Sequence, residues 1–534
     1  MPSLNDLSQR HGVVDRRQGQ YLCFPDICLT ESGRLVAVYR EMDRHFKATR
    51  RCMLACVSDD MGATWSEPLV LNDRGGHCPR LSVHGQVLRC IVDCPASLHE
   101  SRDNGETWES VPAKGLTHGI PDRILRLDHT AGQGEDTGET WLSTAHLHRG
   151  TSAWPPIGQP PTEAMCFASQ DQGRTWKPLS VMSLVPCLTL CEGSMVQLGN
   201  GHILALFREN SHVFEPMYAL TSRDFGATWS EPIPTTLLGH RPCLGLTRDG
   251  RLLATFRNVG PDHGTAAWLG TVEELLNPDQ EYWVHGLTPL YRDDNSGSPR
   301  LTPEGLLLDS TGQDSPGPDC AVFYCLRPLT DPARAKAELT LRMQCLEGEA
   351  ESCGLRFGVW WRIGPDRIRP EIKGARSLKL PQGQVNELRL SYDQGVLTLR
   401  VNGRKKRDYT LDPARVERRA IILGSLSRTQ KNRGKSLWQE ITLHIHEPGL
   451  GREYQYIWNA AHGLPDARAR AGILELRNDR QAIGADFGYS GWVETGPGEF
   501  FCVYHHGAGH EPDYRPGYSS HVAWTRFVAG DFAL

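Results

Sequence analysis

The chain has 534 residues, 39% hydrophobic and 23% charged, with a formal net charge of -5 and a pI near 6.5. This composition excludes wholesale disorder and gives no general electrostatic attraction to nucleic acid or anionic membranes. The length exceeds what one hydrophobic core organises, so two domains, or one repeat architecture plus an insertion, are expected.

The first stretch, MPSLNDLSQRHGVVDRRQ, lacks the apolar run of a signal peptide. No later run approaches the roughly 18 apolar residues of a membrane span. A cytoplasmic location follows as an expectation, unless a leader was removed. The 16 cysteines are scattered, and Cys52 with Cys56, or Cys187 with Cys191, are separated by three residues rather than the two of redox or zinc pairs. They read as reduced thiols buried in strands.

Hairpin-like runs, each a Gly turn followed by apolar β-formers, begin at ESGRLVAVYRE (31–41) and VHGQVLRCIVD (83–93). They continue around Trp141 and at 199–210, 248–258 and 496–506. Just upstream lie Phe24 and Pro25, Cys78 and Pro79, Ile120 and Pro121, Cys191 and Glu192, Arg241 and Pro242, and Tyr489 and Ser490. These mark six innermost strands. The pattern Ser-x-Asp-x-Gly-x-Thr-Trp recurs at 58–65, 101–108, 169–176 and 222–229. Asp can accept backbone N–H bonds there and Gly can supply positive φ, so Asp60, Asp103, Asp171 and Asp224 are turn formers. A residue that recurs four times does not mark one active site.

Between about 296 and 448 the strand grammar changes. AELTLRMQCL (337–346), GLRFGVWWRI (354–363), NELRLSYDQGVLTLRVNGRKK (386–406) and LWQEITLHI (437–445) alternate apolar and polar residues, as half-exposed antiparallel strands do. The first architecture is expected to resume with EYQYIWNAAHGLPD (453–466). The predicted division is 1–295, an inserted β-sandwich at 296–448, and a closing part at 449–534.

The four Asp patterns resemble the Asp boxes of the sialidase superfamily, whose six-bladed propellers carry them between the third and fourth strands of several blades. The resemblance covers roughly 15–290 and 450–530. It implies an all-β fold, a six-bladed β-propeller with an inserted β-sandwich. The 386–404 hairpin resembles laminin-G or concanavalin-like lectin domains. The implied activity is exo-acting, retaining hydrolysis of a terminal acidic sugar, sialic acid or a related 2-keto sugar acid. It needs a glycan substrate and neither a metal nor an organic cofactor.

A carboxylate nucleophile would be repelled by the sugar's own carboxylate, and a neutral tyrosine avoids this. ADFGYSGWVETGPGEFFCVY (485–504) resembles the family's last blade and puts Tyr489 at the nucleophile position. LCEGSMVQLGNGHILALFREN (190–210) puts Glu192 as base and Arg208 as carboxylate ligand. The structural alternatives are a core tyrosine, a blade hydrogen bond for Glu192 and a pair of Arg208 with Glu209. The charged loop YREMDRHFKATRR (39–51) offers Asp43 as acid, with His45 as the other group able to protonate a leaving oxygen.

One departure stands out. The family opens its first blade with Phe/Tyr-Arg-Ile-Pro, whereas this chain reads Leu22-Cys23-Phe24-Pro25. A thiol cannot replace a guanidinium fork on a carboxylate. Arg80, Arg241 and Arg257 are the candidate substitutes, with a structural ion pair as the alternative for each. Two other functions remain open. A uronic or neutral sugar could be cleaved by Glu192 paired with Asp43 or Asp26, or the chain could be a non-catalytic glycan-binding propeller. His505, His506 and His510 cluster after the last apolar run and could face Tyr489 or solvent.

Overall fold

The computed structural model describes residues 2–73, 75–128, 139–149, 162–185, 188–210, 215–259, 263–276, 285–286, 300–309, 311, 322–348, 353–416, 421–425, 434–467, 470–479, 481–482 and 486–533. Cys187 lies outside them. The fold is all-β, and six of its sheets are antiparallel with four strands each. Sheet I is Tyr21–Leu29, Leu35–Met42, Arg51–Ser58 and Leu69–Asn72. Sheet II is His77–His84, Val87–Asp93, Ser97–Ser101 and Glu109–Pro112. Sheet III is Leu125–Arg126, Trp141–His148, Thr162–Ser169 and Lys177–Ser183. Sheet IV is Leu190–Gly199, His202–Glu209, Tyr218–Ser222 and Ile233–Pro234.

Sheet V takes Gly239–Leu246, Leu252–Asn258 and Gly264–Gly270, then receives its fourth strand, Ile473–Asn478, from far along the chain. Sheet VI consists of Ser490–Gly496, Glu499–His506 and His521–Val528, completed by His11–Asp15 from the N-terminal region. The second strand Leu35–Met42 is buried throughout while the fourth, Leu69–Asn72, is half-buried to exposed. A continuous apolar run is what a strand covered on both faces requires.

Side chains near the start of each sheet tie it to the next in a propeller-like arrangement. Asp26 accepts from Leu81 N–H, Ser82 from Ile124 N–H, Asp122 from Met195 N–H and Ser194 from Leu244 N–H. Ser490 Oγ meets Thr255 Oγ1 at 3.0 Å, and Ser520 Oγ donates to Leu22 O, which brings the sixth sheet back to the first.

The Asp boxes sit between the third and fourth strands of sheets I to IV. In the first, Asp60 Oδ1 accepts from Ser58 Oγ and Thr64 N–H, both at 2.8 Å, while Ser58 Oγ accepts from Gly62 N–H. Gly62 has φ 86° there, a conformation costly for any residue with a Cβ. Trp108, Trp176 and Trp229 close their turns by donating from Nε1 to the box glycine's carbonyl.

Two larger sheets share a single hydrophobic core. One contains Lys336–Gly348, Asn386–Asp393, Val396–Val401, Arg404–Thr410 and Gly434–Glu447. The other contains Val322–Leu326, Cys353–Phe357, Val359–Ile363 and Ile421–Ser425. Asn386–Asp393 alternates strictly between core and surface, as its sequence predicts. The expected boundaries need correction. His285–Gly286 already pairs with Val322–Leu326, and Arg452–Asn459 pairs along Gly434–Glu447, extending that sheet. The six-sheet architecture resumes at Ile473, not at 453. Arg452 also fastens this unit to sheet IV, donating at 2.6 Å to the buried Glu215. Burial alone would raise the Glu215 pKa, but Arg452 and Arg327 outweigh it and hold it below the usual range.

Candidate active site

The first strands of the sheets carry an unusual backbone feature. Phe24, Cys78, Ile120, Glu192 and Arg241 all have φ between 48° and 55°, and each is followed by Pro or Gly. In the four of these first strands that are paired at this point, the pairing register also slips here, between Cys23 and Asp26, His77 and Arg80, Cys191 and Ser194, and His240 and Cys243. A bulge re-aims one side chain out of the pleat, and strained non-glycine residues of this kind gather at functional sites. A small cavity forms among them, lined by Phe24, Cys78, Arg80, Arg241, Tyr489 and Ser490.

Tyr489, on the wall of this cavity, meets Glu192. The Tyr489 hydroxyl lies 2.8 and 2.9 Å from the two carboxylate oxygens of Glu192, and Arg208 Nη1 donates to the same hydroxyl oxygen at 2.7 Å. Arg208 Nη1 also reaches Glu192 Oε2 at 2.9 Å, and its Nη2 is held by Asn210 Oδ1. Burial pushes the tyrosine pKa up, against the pull of Arg208. For Glu192 burial acts upward too, but Arg208 and Arg241 outweigh it and hold the carboxyl well below its ordinary range. The phenol thus keeps its proton at rest, beside an ionised acceptor and a cation that can stabilise the phenolate.

Arg257 lies over the Tyr489 ring, its guanidinium carbon 4.0 Å from the centroid, and donates from Nε to Phe487 O. Arg241 is 2% exposed and reaches Cys78 O only at 3.5 Å, while its Nη1 is buried without a partner. Arg80 is committed elsewhere. It donates to Ser490 O and Pro242 O and sits 3.6 Å from Asp26 and 3.8 Å from Asp122, in an ionic network joining the sheets. Asp26 is fully buried and gripped by Arg123 through both oxygens, so it has no lone pair aimed at a ligand.

Asp43 and His45 part company. Asp43 Oδ1 accepts from Thr49 and Arg50 N–H and its Oδ2 from Thr49 Oγ1. Those bonds, the Arg50 N–H foremost, bring its pKa down to about 2, so it is ionised and occupied in shaping its own loop. His45 Nδ1 instead lies 2.8 Å from the Tyr21 hydroxyl, which donates to Asp486 Oδ1 at 2.9 Å. With Tyr21 donating to Asp486, Nδ1–H of His45 is the donor to Tyr21, leaving Nε2 for a ligand. Asp486 Oδ2 also accepts from the Tyr514 hydroxyl and from Gly517 N–H. The His45 and Tyr489 rings both pack on Phe24, at 6.0 and 5.2 Å between centroids.

Of the three late histidines, His505 packs on Tyr489 and Phe24, His506 pairs with Asp479, and His510 is half exposed. Sequence reasoning missed Tyr21, Asp486 and Asn210. Asn210 lies only two residues from Arg208 and was within reach. The Tyr21 to Asp486 bond spans 465 residues and has no local signal.

A six-sheet, Asp-box protein with a buried tyrosine, glutamate and arginine at its centre defines the class. A family model described as a BNR repeat-like domain matches residues 92–265. That span takes in three of the four Asp boxes, 101–108, 169–176 and 222–229, so the chain contains a BNR repeat-like domain. No curated protein matches the chain. Among solved structures, it is similar to a protein of unknown function from Dyadobacter fermentans, with 16% identity, 60% of this chain and 94% of that one covered, and a TM-score of 0.39. It is also similar to a Trypanosoma rangeli sialidase in complex with a difluoro derivative of 2-keto-3-deoxy-D-glycero-D-galacto-nononic acid, with 12% identity, 88% and 98% covered, and a TM-score of 0.34. A third is the Hadza microbial sialidase Hz136, with 15% identity, 50% and 62% covered, and a TM-score of 0.35.

Proposed function

We propose that the six sheets are the blades of a six-bladed propeller, that the two-sheet unit between them is a lectin-like insertion, and that the protein is an exo-acting retaining glycoside hydrolase. Its substrate is a terminal acidic sugar, sialic acid or a related 2-keto sugar acid. The observation that carries this reading is the Tyr489 hydroxyl held between both Glu192 oxygens and Arg208.

In this reading Glu192 takes the phenolic proton as the Tyr489 oxygen bonds the anomeric carbon, with Arg208 steadying the developing charge. The glycosidic bond breaks as His45 Nε2 gives its proton to the leaving oxygen. Neutral His45 then takes a proton from water, which attacks the anomeric carbon, and the departing phenolate recovers its proton from Glu192. His45 replaces Asp43 as the acid because Asp43 is bound within its loop. The paired-carboxylate reading loses Asp26 to Arg123 and Asp43 to Thr49 and Arg50.

The test is sugar release from 4-methylumbelliferyl glycosides of sialic acid, related keto acids, uronates and neutral sugars, by wild type and Tyr489→Phe. Hydrolysis of keto-acid sugars that falls by about 10³-fold or more in the variant is the expected result. Turnover restricted to uronates or neutral sugars overturns the substrate class. Glycan binding without turnover, unchanged in Tyr489→Phe, overturns the enzyme reading in favour of a binding propeller.

A further inference from the structure

Arg40, on the second strand of sheet I, is a buried cation. It stands directly across from Cys23 in the pairing of sheet I, so both side chains leave the same face. Cys23 packs there in one cluster with Phe24, Cys78 and Tyr489. Arg40 is 5% exposed, and its Nε is buried with no partner. Its guanidinium forms no ion pair among the described residues. Of the carboxylates nearby, Glu41 pairs with Arg17 and Arg50, and Asp486 is taken by Tyr21, Tyr514 and Gly517; Asp93 accepts from Ile120 N–H through Oδ2, while its buried Oδ1 has no hydrogen-bond partner and lies 3.8 Å from His77 Nδ1.

The thiols do not supply the missing charge. Burial pushes Cys78 up to about 12 and Cys23 well above the ordinary range, so both remain neutral even with Arg40 pulling on them. Arg241 approaches Cys78 from sheet V, also with an unpartnered N–H. Two guanidinium groups, one from sheet I and one from sheet V, therefore act on one neutral thiol. Burying a cation without an anion is expensive, and a ligand carboxylate entering between them removes that expense.

We propose that Arg40 is a specificity-determining residue which, with Arg241, grips the carboxylate of the ligand from the strand facing Cys23. This rests on the acidic-sugar reading above and deepens it, since the cation absent at residue 23 is supplied by its cross-strand partner. Arginine suits the task because its planar fork can engage carboxylate oxygens in parallel.

The experiment is equilibrium binding of 2,3-didehydro-N-acetylneuraminic acid and its methyl ester to the full chain. Wild type is expected to prefer the acid. Arg40→Met weakens the acid about 10- to 100-fold and leaves the ester within about twofold. The swap of Cys23→Arg with Arg40→Cys recovers most of the acid affinity, which a residue serving only the fold would not do. Should Arg40→Met fail to fold, Arg40→Lys decides: a loss of about fivefold or more for the acid alone supports the assignment, and unchanged acid affinity overturns it. Equal losses for acid and ester also overturn it. Wild type that does not distinguish acid from ester sinks the acidic-sugar reading itself, whereas a preference that survives in Arg40→Met sinks only the role of Arg40.

Discussion

The Asp-box turns and the central pocket are made from the same materials, carboxylates and backbone with positive φ, put to opposite ends. At the turns the box carboxylates are spent. Asp224 takes bonds from Ser222 and from both the N–H and the hydroxyl of Thr228; the same pattern recurs at Asp60 and Asp103, and Asp171 takes bonds from Ser169 and Thr175 N–H. In the pocket the equivalent positions of the repeat carry Phe24, Cys78, Ile120, Glu192 and Arg241, no two alike. Guanidinium nitrogens of Arg40, Arg208 and Arg241 stay unpartnered. Satisfied repetition marks architecture, and an unsatisfied departure from the repeat marks ligand recognition.

Beyond Tyr489, the comparison is tested most strongly at Glu192. Glu192→Gln keeps the shape but removes the base, and kcat is expected to fall about 10²- to 10⁴-fold in steady-state assays while the melting curve remains cooperative. Arg208 and Arg241 hold Glu192 below the usual value of about 4.3, so the acid limb of wild-type kcat/KM should lie below that pH. The linkage has a definite sign. A depressed carboxyl contributes stability that is complete above about pH 4.3 and is lost as pH falls through the lower folded value, so Glu192→Gln should soften the decline of Tm in acid.

The next effect separates the two groups of one loop. His45→Asn should lower kcat/KM about 10²-fold on glycosides with alkyl leaving groups and under about threefold on 4-methylumbelliferyl substrates, whose phenolate leaves without a proton. Asp43→Asn should stay within about twofold on both substrate types, because its oxygens serve Thr49 and Arg50. The opposite pattern returns the acid to Asp43.

What the sequence disclosed followed the range of the interactions. Each Asp box closes within a few residues, so Ser58 to Trp65 announces its own geometry. The alternation of 386–393 likewise needs no partner to be read. Tyr489, Glu192 and Arg208 came from resemblance and spacing, and the fold brings them into contact across up to 297 residues. Arg40 was hidden because its neighbour Cys23 is set by the strand register next to the slip between Cys23 and Asp26, which shifts the pairing by one residue. The insertion's end was misplaced because REYQYIWN alternates like a strand of either architecture, and only its pairing with Gly434–Glu447 assigns it.

The smallest effect is expected at the rim. Asp103→Ala removes bonds to Ser101 Oγ, Thr107 N–H and Thr107 Oγ1. The turn keeps other supports, since Ser101 Oγ still accepts from Gly105 N–H and Trp108 still donates to Gly105 O. Asp103 is largely exposed, so water replaces much of what is lost, and the cost should be about 1 kcal/mol, a fall in Tm of about 1 °C in a chain of this length. Two strands of sheet II, Val87–Asp93 and Ser97–Ser101, separate this turn from the pocket-lining strand His77–His84, so kcat should remain within about twofold. Parallel thermal melts and rates on Asp103→Ala and Glu192→Gln make the contrast direct: the first should move stability and spare turnover, and the second should abolish most turnover at neutral pH. If Asp103→Ala lowers kcat by tenfold or more, the rim and the pocket are mechanically coupled, and repetition alone no longer separates scaffold from site.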